Sequence, residues 1–320
     1  MKITVAGSGA FGTGLAIALS GTGSVQLLGR DADVMARMQD SRENTGRLPD
    51  VTLPASITAT ADTTVMTHAD VVLLCVPTQQ LTAFLQTHAD KLAGKPLLAC
   101  CKGIDLTTLK GPADVIAAQC PTATPGVLTG PSFAAEIARG LPTALTLACQ
   151  NDAVAEQLQQ ALTRPALRIY RSTDVVGAQL GGALKNVVAI AAGTTIGAGL
   201  GESARAALIT RGFAEMQKLA EELGARPDTL MGLSGIGDLI LTCSSEQSRN
   251  YSYGLTLGRG QNFDPSITVE GAATAQAVAR LAAEKELDLP VARAVDDLVS
   301  GRGSVANALL SLLSRPLREE

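Results

Sequence analysis

The first thirty residues constrain the fold more than any other part of the chain. Ile3-Thr4-Val5-Ala6 is a short apolar run that passes directly into Gly7-x-Gly9-x-x-Gly12, and an Ala/Leu-rich segment to Leu19 follows. In a strand–turn–helix of this spacing each glycine has a task. The first makes the tight turn, the second lets the backbone approach a pyrophosphate, and the third allows the helix to pack closely on the strand. The helix N-terminus then offers N–H groups and a partial positive charge to phosphates. A second apolar run, Val25-Gln26-Leu27-Leu28, completes the unit within about 30 residues. Gly7, Gly9 and Gly12 are therefore candidates for binding a dinucleotide.

The residue closing that second strand reads the adenosine ribose. An acidic side chain there bonds a free 2′-hydroxyl, and an Arg accommodates a 2′-phosphate. The chain offers Gly29-Arg30-Asp31. Arg30 favours NADP(H), and the adjacent Asp31 keeps NAD(H) open, as does the plainer reading of Arg30 as an exposed loop cation.

Strand and helix signals alternate to about residue 173. Val71–Val76, Leu97–Cys101, Gly126–Thr129, Pro142–Ala148 and Leu167–Tyr170 read as strands, with a helix near 79–92. This pattern predicts an α/β fold with a doubly wound parallel sheet, whose ligands sit beyond the strand ends. Lys102 and the Gly130-Pro131-Ser132-Phe133-Ala134 turn stand in that position, with Ser132 as a helix N-cap. Lys102 is otherwise a solvated loop residue. After Asp174 the strand signals fade, and helical patterns cover about 174–198, 202–224, 227–233, 249–258, 270–286, 290–299 and 304–312. Thr173 or Asp174 can cap the first of these. The expected division is a dinucleotide-binding domain over 1–173 and an all-helical substrate and catalytic domain over 174–320.

Within the first long helix, Lys185 is the only Lys or Arg between Arg171 and Arg205. Its neighbours at helical spacing include Gly181, Gly182, Ala178, Ala189 and Ala192, all small enough for another element to come close. A lone cation there needs a partner anion or a weakened hold on its proton, unless it snorkels out of the helix. Further on, Gly235-Ile236-Gly237-Asp238 precedes an apolar helix, where Asp238 serves at least as an N-cap. Ser248-Arg249-Asn250 opens another helix and brings together N–H groups, a hydroxyl, a guanidinium and an amide, a set suited to a phosphate oxyanion. A capping Ser with exposed neighbours is the plainer alternative.

Composition narrows the function. The formal charge is −4 with 2% aromatic residues, and the basic residues are scattered, which argues against nucleic acid. Only the Lys185 run approaches the roughly 18 apolar residues of a membrane span, and Gly181, Gly182, Lys185 and Asn186 interrupt it, so no membrane insertion is expected. The first strand begins at once, leaving no room for a signal peptide. Six cysteines form no CxxC pair, and His68 and His88 stand in no metal-binding spacing, so no metal site is expected and free cytoplasmic thiols fit.

Gly7-x-Gly9-x-x-Gly12, Cys101-Lys102-Gly103, Gly130-Pro131-Ser132, Leu184-Lys185-Asn186, Ser234-Gly235-Ile236-Gly237-Asp238-Leu239, Ser248-Arg249-Asn250 and Val269-Glu270-Gly271 occur in that order. Together they make the whole chain resemble the bacterial NAD(P)-dependent glycerol-3-phosphate dehydrogenases. The resemblance implies interconversion of dihydroxyacetone phosphate and sn-glycerol 3-phosphate, feeding phospholipid synthesis, in a homodimer. It implies that Lys185 is the general acid/base, and that Lys102, Gly130, Ser132, Asn186, Asp238, Ser248, Arg249 and Asn250 surround the substrate. It places Ala10, Phe11, Arg30, Lys102 and Ala134 on the coenzyme, with Arg249 and Glu270 reaching it from the helical domain. Phe11 stands where many relatives carry Trp or Tyr, and position 30 varies among them.

The chemistry is consistent with that assignment. Reducing a ketone by hydride builds alkoxide character on its oxygen, which a cationic Lys185 stabilises and protonates. Desolvation and Lys102 would ease loss of the lysine proton, while a nearby Asp238 would oppose it. Two alternatives stand beside it. One is a hydroxy-acid or ketopantoate-type dehydrogenase, which needs a carboxylate clamp instead of the Ser248-Arg249-Asn250 phosphate site. The other is a non-catalytic NADP(H) sensor, which has no need of Lys185.

Overall fold

The computed structural model describes residues 1–308. The strands are β1 (Ile3–Ala6), β2 (Val25–Leu28), β3 (Glu43–Asn44), β4 (Leu48–Thr52), β5 (Ile57–Thr60), β6 (Val71–Leu74), β7 (Pro96–Ala99), β8 (Thr124–Thr129), β9 (Thr143–Cys149) and β10 (Leu167–Ser172). The helices of the first half are α1 (Ala10–Leu19), α2 (Ala32–Ser41), α3 (Thr78–Leu92), α4 (Pro112–Gln119), α5 (Ala134–Ala138) and α6 (Asp152–Leu162). Then follow α7 (Val175–Gly197), α8 (Gly201–Glu222), α9 (Pro227–Leu230), α10 (Asp238–Cys243), α11 (Arg249–Gly258), α12 (Glu270–Glu284) and α13 (Pro290–Val299). Residues 305–308 are helical, and the remainder of the helix expected over 304–312 lies outside the described residues. The chain forms two units, Met1–Lys102 with Gly111–Gln179, and Gly103–Lys110 with the chain from Leu180 onward.

In the first unit an eight-stranded sheet runs β10-β9-β8-β7-β6-β1-β2-β5. β1 pairs in parallel with both β2 and β6, Val5 facing Leu27 on one side and Leu73 on the other. The strand order therefore reverses at β1, which puts the end of β1 at a topological switch point. Side chains alternate between the sheet's two faces. Ile3, Val5, Leu27, Leu73 and Leu98 pack with Leu15 of α1, Met35 of α2 and Leu158 of α6. Ala6, Val72, Leu74, Leu97 and Val127 pack on the other face with Leu81 of α3, Ile116 of α4 and the start of α7.

The doubly wound sheet is parallel as expected at every pair but one, β8 and β9, which are antiparallel. The reason is the connection. A parallel return along the six residues of β8 must recover a strand length of about 20 Å. α5 has five residues, about 7.5 Å of helix, so the connection lacks the crossover helix that usually carries a chain back to a parallel strand.

The second unit is helical. α7 is long and apolar enough to cross a membrane, but 94% of its most apolar stretch is buried, as in a core helix. α7 and α11 approach backbone to backbone. A Cβ on Gly193 or Gly254 would lie 2.1 Å from a carbonyl oxygen of the facing helix, and one on Gly197 or Gly258 2.3 Å. α7 begins with a side-chain cap, the Asp174 carboxylate accepting from the Gly177 N–H at 2.9 Å.

Candidate active site

Gly7, with φ +118°, makes the turn out of β1, and its N–H bonds the Leu28 carbonyl at 2.8 Å. A Cβ on Gly12 would lie 1.9 Å from the Gly7 oxygen, whereas one on Gly9 would meet nothing within 4 Å. The turn is thus tight beneath and open above Gly9. Among the described residues no side chain caps the N-terminus of α1, and its first turn holds no acid. Uncapped N–H groups under an open glycine face fit a pyrophosphate. Ala10 opens α1 and Phe11 packs partly on the core. Ala134 reaches this region from α5, its carbonyl oxygen 2.6 Å from where a Cβ on Gly14 would stand. Arg30 is exposed two residues past β2. Asp31 is already engaged, its carboxylate capping α2 through the Val34 N–H at 3.0 Å.

At the end of β7, Lys102 turns toward the β8 end and donates from Nζ to the Gly130 carbonyl at 2.9 Å. The Ser132 hydroxyl donates to the same oxygen at 2.9 Å. Ser132 is consequently not the helix cap expected from sequence. Phe133 takes the N-cap position of α5 without a side-chain bond, and the Ser132 hydroxyl is spent on Gly130. Lys102, Gly130 and Ser132 form one cluster at the strand ends.

In the second unit Lys185 is buried, 7% exposed, against Asp238 at 1%. Its Nζ stands 2.9 Å from Asp238 Oδ1 and donates to Thr242 Oγ1 at 2.6 Å. Thr242 in turn donates to the Asp238 carbonyl at 2.6 Å, with Oδ1 at 3.2 Å. The snorkelling alternative therefore fails, since the ammonium is directed into a buried ion pair. The capping role of Asp238 fails too. A π-turn over Leu233–Gly237 runs straight into α10, leaving Gly237 in a helical conformation with no side-chain cap, and the carboxylate is used on Lys185 instead. The small residues around Lys185 permit this approach, as a Cβ on Gly181 would lie 2.5 Å from the Ser234 oxygen. Beside the pair, burial pushes the Cys243 thiol up to about 12, with Lys185 and Asp238 acting in opposite directions, so it is a neutral wall.

Next along α7, Asn186 Oδ1 accepts from Asn250 Nδ2 at 2.9 Å, and Asn250 Oδ1 accepts from the Gly271 N–H at 2.9 Å. This chain ties α7, α11 and the first turn of α12 together. Gly271 is required there, since a Cβ would lie 2.6 Å from Asn250 Oδ1. Ser248 is the N-cap of α11, accepting from the Tyr251 N–H at 3.2 Å, and Arg249, the first helical residue, is exposed. Glu270 opens α12 and is half-buried. The structure joins Lys185 to Asp238 and Asn186 to Asn250 by direct bonds, while Arg249 and Glu270 stand at helix starts nearby in sequence. Sequence reasoning missed Thr242. The available signal was its position four residues after Asp238, on the same helix face.

Comparison with known proteins bears directly on this arrangement. The family model for NAD-dependent glycerol-3-phosphate dehydrogenase matches in two parts, its N-terminus over residues 2–155 and its C-terminus over residues 174–310. The chain belongs to this family. The glycerol-3-phosphate dehydrogenase (NAD(P)+) of Roseobacter denitrificans is 57% identical over 320 residues, covering 100% of both chains. That of a Ruegeria species is 54% identical over the same span, again covering 100% of each. The crystal structure of glycerol-3-phosphate dehydrogenase from Coxiella burnetii is 32% identical with a TM-score of 0.93, covering 98% of this chain and 99% of that one. Membership of the glycerol-3-phosphate dehydrogenase family does not favour the hydroxy-acid, pantoate-type or sensor alternatives.

Proposed function

We infer that this chain reversibly reduces dihydroxyacetone phosphate to sn-glycerol 3-phosphate with NAD(P)H, supplying the glycerol backbone of phospholipids. The observation that carries the reading is the buried Lys185–Asp238–Thr242 cluster in a member of this family. The glycine turn, Ala10, Phe11 and Ala134 are assigned to the coenzyme, which when bound supplies the hydride. Arg249 and Glu270 are assigned to it as well, and Lys102 to both coenzyme and substrate. Arg30, exposed at the ribose position while Asp31 is taken by its capping bond, favours NADP(H), with NAD(H) also used.

Lys185 acts on the carbonyl oxygen of the substrate. Its ammonium stabilises the negative charge that develops there and delivers a proton from Nζ, and in the reverse direction Nζ takes that proton back. Asp238 and Thr242 fix Nζ in place, and Asp238 supplies the counter-charge. Asn186 and Asn250 orient the substrate's oxygens, together with Lys102, Gly130 and Ser132. Ser248 and Arg249, with the N–H groups at the start of α11, hold the phosphate. The enzyme works in the cytoplasm as a homodimer.

Following NADPH oxidation spectrophotometrically with dihydroxyacetone phosphate and with unphosphorylated dihydroxyacetone tests the reading. Rapid turnover of the phosphate ester alone is expected. Equal turnover of both, or of neither, contradicts it.

A further inference from the structure

A buried side chain far from the glycine-rich turn in sequence is bonded to it, beside the longer 3.5 Å bond that the Thr13 hydroxyl donates to the Ser8 carbonyl. Asn44, 5% exposed, stands in β3, the two-residue strand that pairs with β4 outside the main sheet. Its Nδ2 donates to the Ser8 carbonyl at 2.9 Å and to Thr13 Oγ1 at 2.7 Å. Ser8 lies between Gly7 and Gly9, and Thr13, 1% exposed, lies on the buried side of α1. One amide group therefore grips the turn and the helix it feeds. Ser8 is seated from a second side as well, since a Cβ on Gly29 would stand 2.6 Å from its Oγ.

The direction of the grip matters. In a trans peptide the C=O and the following N–H point in opposite directions, and no peptide in the described residues is cis. With the Ser8 oxygen drawn inward to Asn44, the N–H of Gly9 faces away from it. Gly9 is also the residue whose outer face is open. We propose that Asn44 is a positioning residue for the coenzyme, locking the Ser8–Gly9 peptide so that the Gly9 N–H is aimed at the pyrophosphate. This rests on reading the turn as the coenzyme site, and it adds a residue from the β3–β4 hairpin that no glycine motif contains.

Without the grip the peptide is able to rotate, and the Gly9 donor loses its fixed direction. A charge-assisted bond to phosphate is at stake, worth about 10- to 100-fold in affinity. The test is calorimetric binding of two ligands to Asn44→Ala, ADP-ribose, which carries the pyrophosphate, and adenosine 2′-monophosphate, which lacks it. We expect Kd for ADP-ribose to rise about 10- to 100-fold, and Kd for adenosine 2′-monophosphate to stay within about twofold. The KM for dihydroxyacetone phosphate and the kcat at saturating NADPH should stay close to the parent's. Asn44→Leu, similar in size but without donors, should repeat the pattern if the alanine variant does not fold. Failure of the parent to bind ADP-ribose would remove the coenzyme reading. Parent-like ADP-ribose binding by the variants, an equal loss for both ligands, or collapse of both variants would each overturn the positioning role alone.

Discussion

Replacing Asp238 with Asn removes a charge from the centre of the second unit with little change in shape. Lys185 then keeps its Thr242 bond at 2.6 Å but loses the carboxylate at 2.9 Å, in surroundings where the pair is 7% and 1% exposed. The ammonium has two responses. It stays charged, at the about 3–5 kcal/mol that breaking a buried pair usually costs, or it releases its proton. The second route sets a ceiling. Neutralising an ordinary lysine at pH 7 costs about 4.6 kcal/mol, and that figure falls by about 1.4 kcal/mol for each pH unit above it. Asp238→Asn should therefore lose about 3–4.5 kcal/mol in urea unfolding at pH 7 and no more than about 2 kcal/mol at pH 9. Adding Lys185→Met to that variant removes the stranded charge, so the double variant should be more stable than Asp238→Asn alone. Urea unfolding of the three proteins at both pH values is the assay. An Asp238→Asn protein within about 0.5 kcal/mol of the parent at pH 7, or a double variant no more stable than the single, refutes the reasoning.

Three further outcomes are expected. Arg30→Asp should weaken NADPH binding by about 1.5–3 kcal/mol while leaving NADH nearly unchanged, and equal losses in steady-state kinetics would exclude Arg30 from the 2′-phosphate. Arg249→Ala should damage turnover of dihydroxyacetone phosphate far more than that of dihydroxyacetone, whereas the same factor for both would make Arg249 structural. Glu215 accepts from the Val291 and Ala292 N–H groups at 2.8 and 3.1 Å, yet burial outweighs these bonds and pushes its carboxyl up to about 7. A raised carboxyl binds its proton more tightly folded than unfolded, so this contribution is full below the ordinary carboxyl range and lost as pH rises through about 7. Glu215→Gln should flatten a loss of about 3 kcal/mol between pH 4.5 and 7.5, and an unchanged slope of denaturation stability against pH would reject Glu215 as its source.

Much of the first unit was readable because most of its central strands are largely apolar, and β1, β2, β6 and β7 carry no charged residue. The β3–β4 hairpin and β5 were not, since Glu43-Asn44 has only two residues and Ile57-Thr58-Ala59-Thr60 is half threonine. Asn44 shows how a residue with a consequential place is invisible in sequence. Its two bonds reach back 36 and 31 positions, and nothing local announces them. Lys185 was legible for the opposite reason, as a cation isolated in an apolar helix advertises a need for a partner. What remained hidden was which acid answers it. Asp238 reads as an N-cap until the π-turn before it gives Gly237 helical angles and removes the cap position. Thr242 follows from Asp238 only once α10 is known to turn that face toward Lys185.

The most direct measurement is the dihydroxyacetone phosphate-dependent oxidation of NADPH by Lys185→Met, at saturating substrate and with folding verified. Met keeps the length of the side chain and removes the charge and the proton. If Lys185 is the acid that protonates the carbonyl oxygen, kcat falls by about 10²–10⁴ while NADPH binding is retained. A folded Lys185→Met protein with a kcat near the parent's would contradict the assignment.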